Sequence, residues 1–162
     1  MTTGVIETKG TRLFFNGPAS SPSEILKVAC PTGISGLGGP GSQIDTTCLD
    51  SEEMEFRRGM RNPGQLSVPV NFIPQSESHQ ALINLAANGD TVDWMIVFSD
   101  QTGSPVLVTN GLLVSPGATT ARFQGYLADF NIDVANNEIV RATLTIQRSG
   151  AVGWNLPTAI YD

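Results

Sequence analysis

The alternation of apolar and polar residues predicts a long β-hairpin over residues 122–148. Side chains on each strand separate into one apolar and one polar face, as in a strand with one wet side. The apolar faces hold Tyr126, Ala128, Phe130, Ile132, Val134, Val140, Ala142, Leu144 and Ile146, and the polar faces hold Asp129, Asn131, Asp133, Arg141, Thr143, Thr145 and Gln147. A three-residue turn at 135–137 keeps like faces together by pairing Ile132 with Val140 and Asn131 with Arg141. The wet face of this ribbon is suited to line a wide space or to face bulk water.

Shorter runs predict further strands and one helix. Strands are expected at residues 11–15, 25–29, 43–49, 65–72, 91–98 and 106–114. Pro69 lacks an N–H donor, so its strand should be bulged or lie at an edge. A helix is expected at 76–88, with Ser76 or Ser78 as N-cap and an apolar stripe that includes Leu82 and Leu85. This order predicts a mainly β fold, with two packed antiparallel or mixed sheets forming a sandwich or half-barrel and one flanking helix.

Four segments lack a regular pattern. Residues 1–10 are expected to form an N-terminal arm, and residues 149–162 a C-terminal arm. Residues 32–41 contain five glycines and no clear element. Residues 50–64 carry four acids followed by three arginines and are predicted as a long inter-strand loop. The 162 residues suit one domain spanning the whole chain.

Composition narrows the classes of function. Charged residues make up 15% of the chain, which is low and indicates either a turn-rich β domain or a surface covered by partners. The net charge of −6 argues against tight binding of nucleic acid, because contacts to phosphates require clustered Lys and Arg side chains. It suits a surface that nucleic acid passes without sticking, and it suits plain solubility equally well.

Residues for catalysis or metal binding are sparse. His79 is the one histidine and is expected to be exposed near the helix start. Cys30 and Cys48 belong to no metal or redox motif and are expected to be buried reduced thiols. The serines lack a nucleophile elbow, and the glycine-rich segment lacks the Lys-Ser/Thr of a phosphate loop. We predict no enzyme, no cofactor, no metal and no membrane insertion.

Four stretches together resemble the major tail tube proteins of long-tailed, lambda-like bacteriophages. They are KGTRLFF, EILKVACPTGISG with the acidic loop DTTCLDSEEMEF that follows it, the strand-helix-strand unit LSVPVNFIPQSESHQALINLAANGDTVDWMIVFSD, and FQGYLADFNIDVANNEIVRATLTIQRSG. The resemblance covers about residues 9–150, and its most specific part is SHQALINLAANGDTVDWMIVF. It implies a fold shared with the tube protein of bacterial secretion systems. It also implies hexameric rings whose inner strands join into one barrel, and stacking of those rings into a tube with an acidic lumen for DNA ejection.

The resemblance also suggests which residues act. The 50–64 loop corresponds to a family loop that touches the neighbouring ring, so the expected inter-ring contacts are Glu52, Glu53, Glu55, Arg57, Arg58 and Arg61. The residues expected to face the lumen are Asp45, Asp129, Asn131, Asp133, Arg141 and Thr143.

The expected partners are further copies of the chain together with the tape measure, tail tip and tail terminator proteins, and DNA passes only transiently. The expected location is the virion tail, after synthesis in the host bacterial cytoplasm. Two alternatives remain at this point. One is a tube protein of a type VI secretion or contractile injection system, and the other is a monomeric β-sandwich binding module.

Overall fold

The computed structural model describes residues 5–16, 25–100, 106–108, 111–113 and 119–156. Its elements confirm a mainly β fold of antiparallel sheets with one helix. In chain order they are β1 (Arg12–Asn16), β2 (Ile25–Lys27), β3 (Gly41–Asp45), β4 (Phe56–Arg61), β5 (Gln65–Asn71), α1 (Glu77–Asn88), β6 (Thr91–Val97), β7 (Val106–Val108), β8 (Gly111–Leu113), β9 (Thr120–Asp133) and β10 (Arg141–Asn155).

Six strands form the main sheet in the order β2-β1-β6-β9-β10-β5, and every neighbouring pair is antiparallel. Two smaller sheets consist of β3 with β4 and of β7 with β8. One face of the main sheet carries the main core, which includes the fully buried Phe15, Trp94 and Leu144, and a smaller buried cluster of Phe14, Met95 and Val97 lies on the opposite face. The Trp94 indole donates a hydrogen bond to the carbonyl oxygen of Gly125 at 3.1 Å, so its polar atom is satisfied inside the core.

Helix α1 covers this core and agrees with the sequence prediction. Leu82 and Leu85 on its inner face are fully buried. Ser76 occupies the N-cap position, although its side chain makes no capping hydrogen bond. Gly89 ends the helix in the left-handed conformation, with its N–H bonded to the carbonyl of Leu85.

The expectation that His79 is exposed is wrong. Its ring is fully buried, where Nδ1 accepts a hydrogen bond from the Ile73 N–H at 3.0 Å. Because Nδ1 is an acceptor, the neutral ring carries its proton on Nε2 and donates to the Ala29 carbonyl at 2.8 Å. His79 therefore has a structural role, joining the helix to the segment that follows β2.

Near the turn, the residues of β9 and β10 lie on their predicted faces. The register of the ladder differs from the predicted one by two residues. Ile132 pairs with Ala142 and Asn131 with Thr143, because the connection spans residues 134–140 rather than three residues. A shift of two leaves every side chain on its face, since the period of a strand is two.

A β-bulge at Ala128 changes the faces of the first half of β9. Asp129 pairs with Thr145, whereas the next pair is Leu127 with Ile146, which leaves Ala128 without a partner. Leu127 is consequently buried and Tyr126 exposed, the reverse of the predicted pattern. The prediction fails here because unbroken alternation assumes a regular strand.

Pro69 lies on the terminal strand β5, as its missing donor predicts. Its carbonyl accepts hydrogen bonds from the Thr32 N–H and hydroxyl, so it points away from β10. The N–H and C=O of one strand residue point to the same side, and the proline nitrogen therefore faces the outer edge.

Two segments predicted as irregular contain strands. Residues 56–61, inside the expected 50–64 loop, form β4. Residues 149–155, inside the expected C-terminal arm, continue β10, and Trp154 stacks on Phe98 with ring centroids 6.3 Å apart. Cys30 and Cys48 are exposed free thiols rather than buried ones.

Candidate functional site

Five of the six residues predicted to line a lumen share one exposed or half-buried face of the main sheet. Asp133 pairs with Arg141, Asn131 with Thr143, and Asp129 with Thr145. These pairs lie on the side opposite the core, since Ala142 and Leu144, between them in sequence, are buried. The face continues onto β5, where Asn71, Pro69 and Ser67 pair with Arg141, Thr143 and Thr145.

This polar face carries two exposed carboxylates, Asp129 and Asp133, and one exposed guanidinium, Arg141. The Asn131 side-chain amide donates to Oδ1 of Asp133 at 3.3 Å, which orients that carboxylate along the strand. The face is therefore hydrated and negative on balance. Such a surface is chemically suited to lie beside a polyanion without binding it.

Asp45, the sixth predicted lumen residue, lies in the separate β3–β4 hairpin. Its Oδ1 accepts the Thr47 N–H at 2.9 Å. Hydrogen bonding from Thr47, by its side chain first and its backbone second, lowers the pKa of the Asp45 carboxyl. The structure thus gives Asp45 a role in shaping the hairpin turn and does not bring it together with the other five.

The β3–β4 hairpin (residues 41–61) is exposed along almost its whole length. Every residue of β3 and five of the six in β4 are exposed. The hairpin nevertheless carries large apolar side chains that face water, namely Ile44, Leu49, Met54, Phe56 and Met60. A lone two-stranded hairpin is marginally stable in water, and exposed apolar groups at this density indicate a docking surface.

All six predicted inter-ring residues belong to this hairpin and are exposed. Glu52, Glu53 and Glu55 lie in the turn, whereas Arg57, Arg58 and Arg61 follow along β4. The cross-strand pairs Ile44 with Arg57, Gln43 with Arg58 and Gly41 with Arg61 place the arginines progressively nearer the base of the hairpin.

Arg148 fixes the base of the hairpin, a role that the residue pattern did not indicate. It is buried on β10, and its guanidinium donates to the carbonyl oxygens of Gly38 and Pro63, one on each side of the hairpin base. Its backbone N–H donates to the Gly64 carbonyl at 3.2 Å. Because alternation shows only a charged residue at a strand end, it cannot distinguish this buried guanidinium from a solvated one.

Strands β9 and β10 each have a stretch with only one strand neighbour. β6 pairs with residues 120–126 of β9, so no described strand pairs with the outer side of residues 127–133. β5 pairs with residues 141–147 of β10, and within the described ranges no strand pairs with the outer side of residues 149–154. The two free edges lie at opposite ends of the ribbon and on opposite sides of it.

Within the described residues, no group of three or more His, Cys, Asp or Glu side chains is placed to hold a metal ion. The same part of the chain contains no helix with the length and apolarity to cross a bilayer.

Comparison with known proteins agrees with this geometry. The family model described as "Phage tail tube, TTP, lambda-like" matches residues 4–158. "Structural protein 3" of Pseudomonas phage PAJU2 is 30% identical over 151 residues, which cover 90% of this chain and 91% of that protein.

Solved structures share the fold at low identity. The SPP1 tail tube aligns with a TM-score of 0.63 at 10% identity, over 94% of this chain and 81% of its own. The tube-terminating cap of the anti-feeding prophage aligns at 0.67 and 13% identity, over 96% and 94% of the two chains. The sheath/tube terminator of the PVC extracellular contractile injection system aligns at 0.68 and 12% identity, over 96% and 99%.

The family match covers nearly the whole chain, and the curated relative is a phage structural protein of nearly the same extent. The chain belongs to the lambda-like phage tail tube family, and it is a structural protein of the phage tail.

Proposed function

We propose that six copies of this chain close into a ring through the free edges of β9 and β10, and that the rings stack into a tube through which DNA leaves the virion. Unpaired strand edges are a liability in a soluble protein, and a closed barrel removes them. The edges of β9 and β10 lie on opposite sides of the ribbon, so one copy offers one edge and its neighbour the other. These edges are the observation that carries the proposal.

The direction of the backbone groups at the β9 edge follows from the ladder. The backbone carbonyl of Pro69 points away from β10. The backbone N–H and C=O of its partner Thr143 therefore point away from β5 and towards Asn131. Backbone groups alternate along an antiparallel strand, so those of Phe130 and Ile132 point to the free edge. They are available to a neighbouring copy.

Replacing Ile132 by proline tests ring closure. Ile132→Pro removes an outward N–H that no described residue uses, just as Pro69 does on β5, so the subunit should stay folded and lose ring formation. Ile132→Ala removes a similar amount of side chain and keeps the N–H, so it should still assemble. Sedimentation and electron microscopy of concentrated protein distinguish the two; normal six-fold rings from Ile132→Pro would refute closure through this edge.

We further propose that the polar face with Asp129, Asn131, Asp133, Arg141 and Thr143 lines the bore. A duplex carries one negative charge per about 1.7 Å of axis, so inward lysines would retard it, whereas this face offers two carboxylates against one guanidinium. The net charge of −6 has the same sign. The assignment of Asp45 to the bore stays a prediction.

The exposed β3–β4 hairpin, with Glu52, Glu53, Glu55, Arg57, Arg58 and Arg61, is proposed to contact the adjacent ring. Docking there would cover its exposed apolar side chains, which the subunit's own core does not. The tape measure, tail tip and terminator proteins are the partners expected at the bore and at the two ends of such a tube. The subunit would be made in the host cytoplasm before it joins the tail.

A further inference from the structure

The charges of the β3–β4 hairpin are separated along its length. Its turn, residues 45–55, is acidic and holds Asp45, Asp50, Glu52, Glu53 and Glu55. The arginines of β4 run away from this turn, and Arg61 lies at the opposite end, across from Gly41. The turn of the hairpin is thus negatively charged, and the opposite end, where the hairpin joins the rest of the subunit, is positively charged.

A cavity of about 740 Å³ lies beside the base. Its walls come from the hairpin base and from β10, and they include Arg61, Pro63, Arg148, Ala151 and Trp154. Arg61 is exposed and Trp154 is 50% exposed, so the cavity opens to solvent beside a cation and an aromatic ring.

Arg148 places a buried positive charge against this cavity. The residue is only 4% exposed, its guanidinium donates to carbonyl oxygens, and no carboxylate among the described residues forms an ion pair with it. Its Nε is buried without a hydrogen-bond partner. Burial lowers the pKa of the Arg148 guanidinium, which nevertheless stays charged at neutral pH. A buried charge without a counter-ion is costly, so an incoming carboxylate would be stabilising here.

We propose that this cavity receives the acidic turn of a second copy in the adjacent ring, which sets carboxylates of Glu52 and Glu53 against Arg61 and Arg148. The inference rests on the proposed function and specifies the surface to which the hairpin docks. A subunit's own turn cannot do this, because the six residues of β4 separate turn and base by about 20 Å. Each copy therefore uses its turn on one neighbour and its base on another. Such a head-to-tail contact repeats without closing and extends a filament.

Reciprocal charge reversal tests this pairing. Glu52→Lys with Glu53→Lys should abolish tubes while rings remain, and Arg61→Glu should do the same. Combining all three changes in one chain should restore tubes in part, because the carboxylate introduced at position 61 attracts the two introduced lysines whereas the unchanged Arg148 still repels them. Asp90→Lys and Lys27→Glu are matched reversals at exposed positions outside the hairpin and should assemble normally. Thermal unfolding of each variant shows whether the subunit is still folded.

Proximity is tested with the exposed Cys48, which already lies in the acidic turn. In a Cys30→Ser background, Ala151→Cys adds a thiol to the cavity wall, and mild oxidation of tubes should give covalent ladders on a non-reducing gel. Ala87→Cys, on the exposed side of α1, should give none.

The outcomes separate the two proposals. Absence of any ring or tube in the wild type would overturn the proposed function and this inference with it. Wild-type tubes together with normal tubes from both reversed variants, or with no ladder from Ala151→Cys, would overturn this inference alone. Restored tubes in the exchanged chain and a ladder specific to Ala151→Cys would establish it.

Discussion

His79 donates a hydrogen bond through Nε2 to the carbonyl oxygen of Ala29, 2.8 Å away and fifty residues earlier in the chain. The neighbouring Ser78 hydroxyl accepts the N–H of the same Ala29 at 3.1 Å. The first turn of α1 thus satisfies both backbone groups of Ala29. This arrangement secures the helix to the edge of the main sheet where β2 ends.

Removing the His79 ring should destabilise the subunit markedly. His79→Ala opens a buried space and leaves the Ile73 N–H and the Ala29 carbonyl without their partner, so we expect a loss of about 2–4 kcal/mol in the free energy of unfolding. Urea denaturation of the unassembled subunit measures it. Asn84→Ala, on the exposed side of the same helix, should change stability by no more than about 0.5 kcal/mol. Equal losses for the two variants would contradict the buried role of His79.

The hairpin turn should loosen in acid. The folded-state pKa of Asp45 is lowered below its ordinary value of 3.8, so its stabilising contribution is fully present above that pH and is lost as pH falls through the lower folded value. We therefore expect the Thr47 amide, which Asp45 holds, to lose protection at low pH, measured as its exchange rate relative to the intrinsic rate at the same pH. Asp45→Asn keeps an acceptor that does not titrate and should flatten this dependence. An unchanged pH profile in that variant would show that Asp45 is not responsible.

Deleting Ala128 should be tolerated, unlike deletion of a regular β9 residue. Leu127 and Phe130 both belong to the core although three positions separate them, because the bulge absorbs one residue. Without Ala128 they would stand two apart and still share a face. Deletion of Gln124 would instead reverse the faces around Phe123. Circular dichroism and thermal unfolding should show a folded subunit in the first case and an unfolded one in the second.

Positive charge on the polar face should slow DNA ejection. Asp129→Lys combined with Asp133→Lys changes the charge of each subunit by about +4 on the proposed bore, where passing phosphates would be attracted. Phage carrying this tube should eject DNA more slowly, as measured by dye binding to released DNA. The control is Glu7→Lys combined with Asp90→Lys, which makes the same change in charge away from this face. Normal ejection from the first variant would remove these positions from the bore.

Sequence alternation was a good guide wherever a strand has one face in the core. It predicted the strands around Phe15, Val68 and Trp94 and the two faces of the ribbon near its turn. It could not show the bulge at Ala128, because apolar and polar residues alternate through this stretch as they would in a regular strand. Nor could it fix the register to better than two residues, since a shift of two preserves every face.

The β3–β4 hairpin is a part of the fold that the alternation of apolar and polar residues does not predict. FRRGMR lacks an apolar face because β4 packs into no core, and periodicity reports burial rather than backbone pairing. The burial of His79 and Arg148 was equally hidden. Both depend on carbonyl groups brought close by chain segments far apart in sequence, and residue type alone does not encode that proximity.

No residue of 41–61 contributes to the hydrophobic core. Substitutions in this segment should therefore leave the folding of the main sheet largely unchanged, and under the proposed ring stacking they would alter which copies the hairpin binds. Two related phages infecting one cell could diverge there first, so that each builds its tail from its own subunits and rejects the other's.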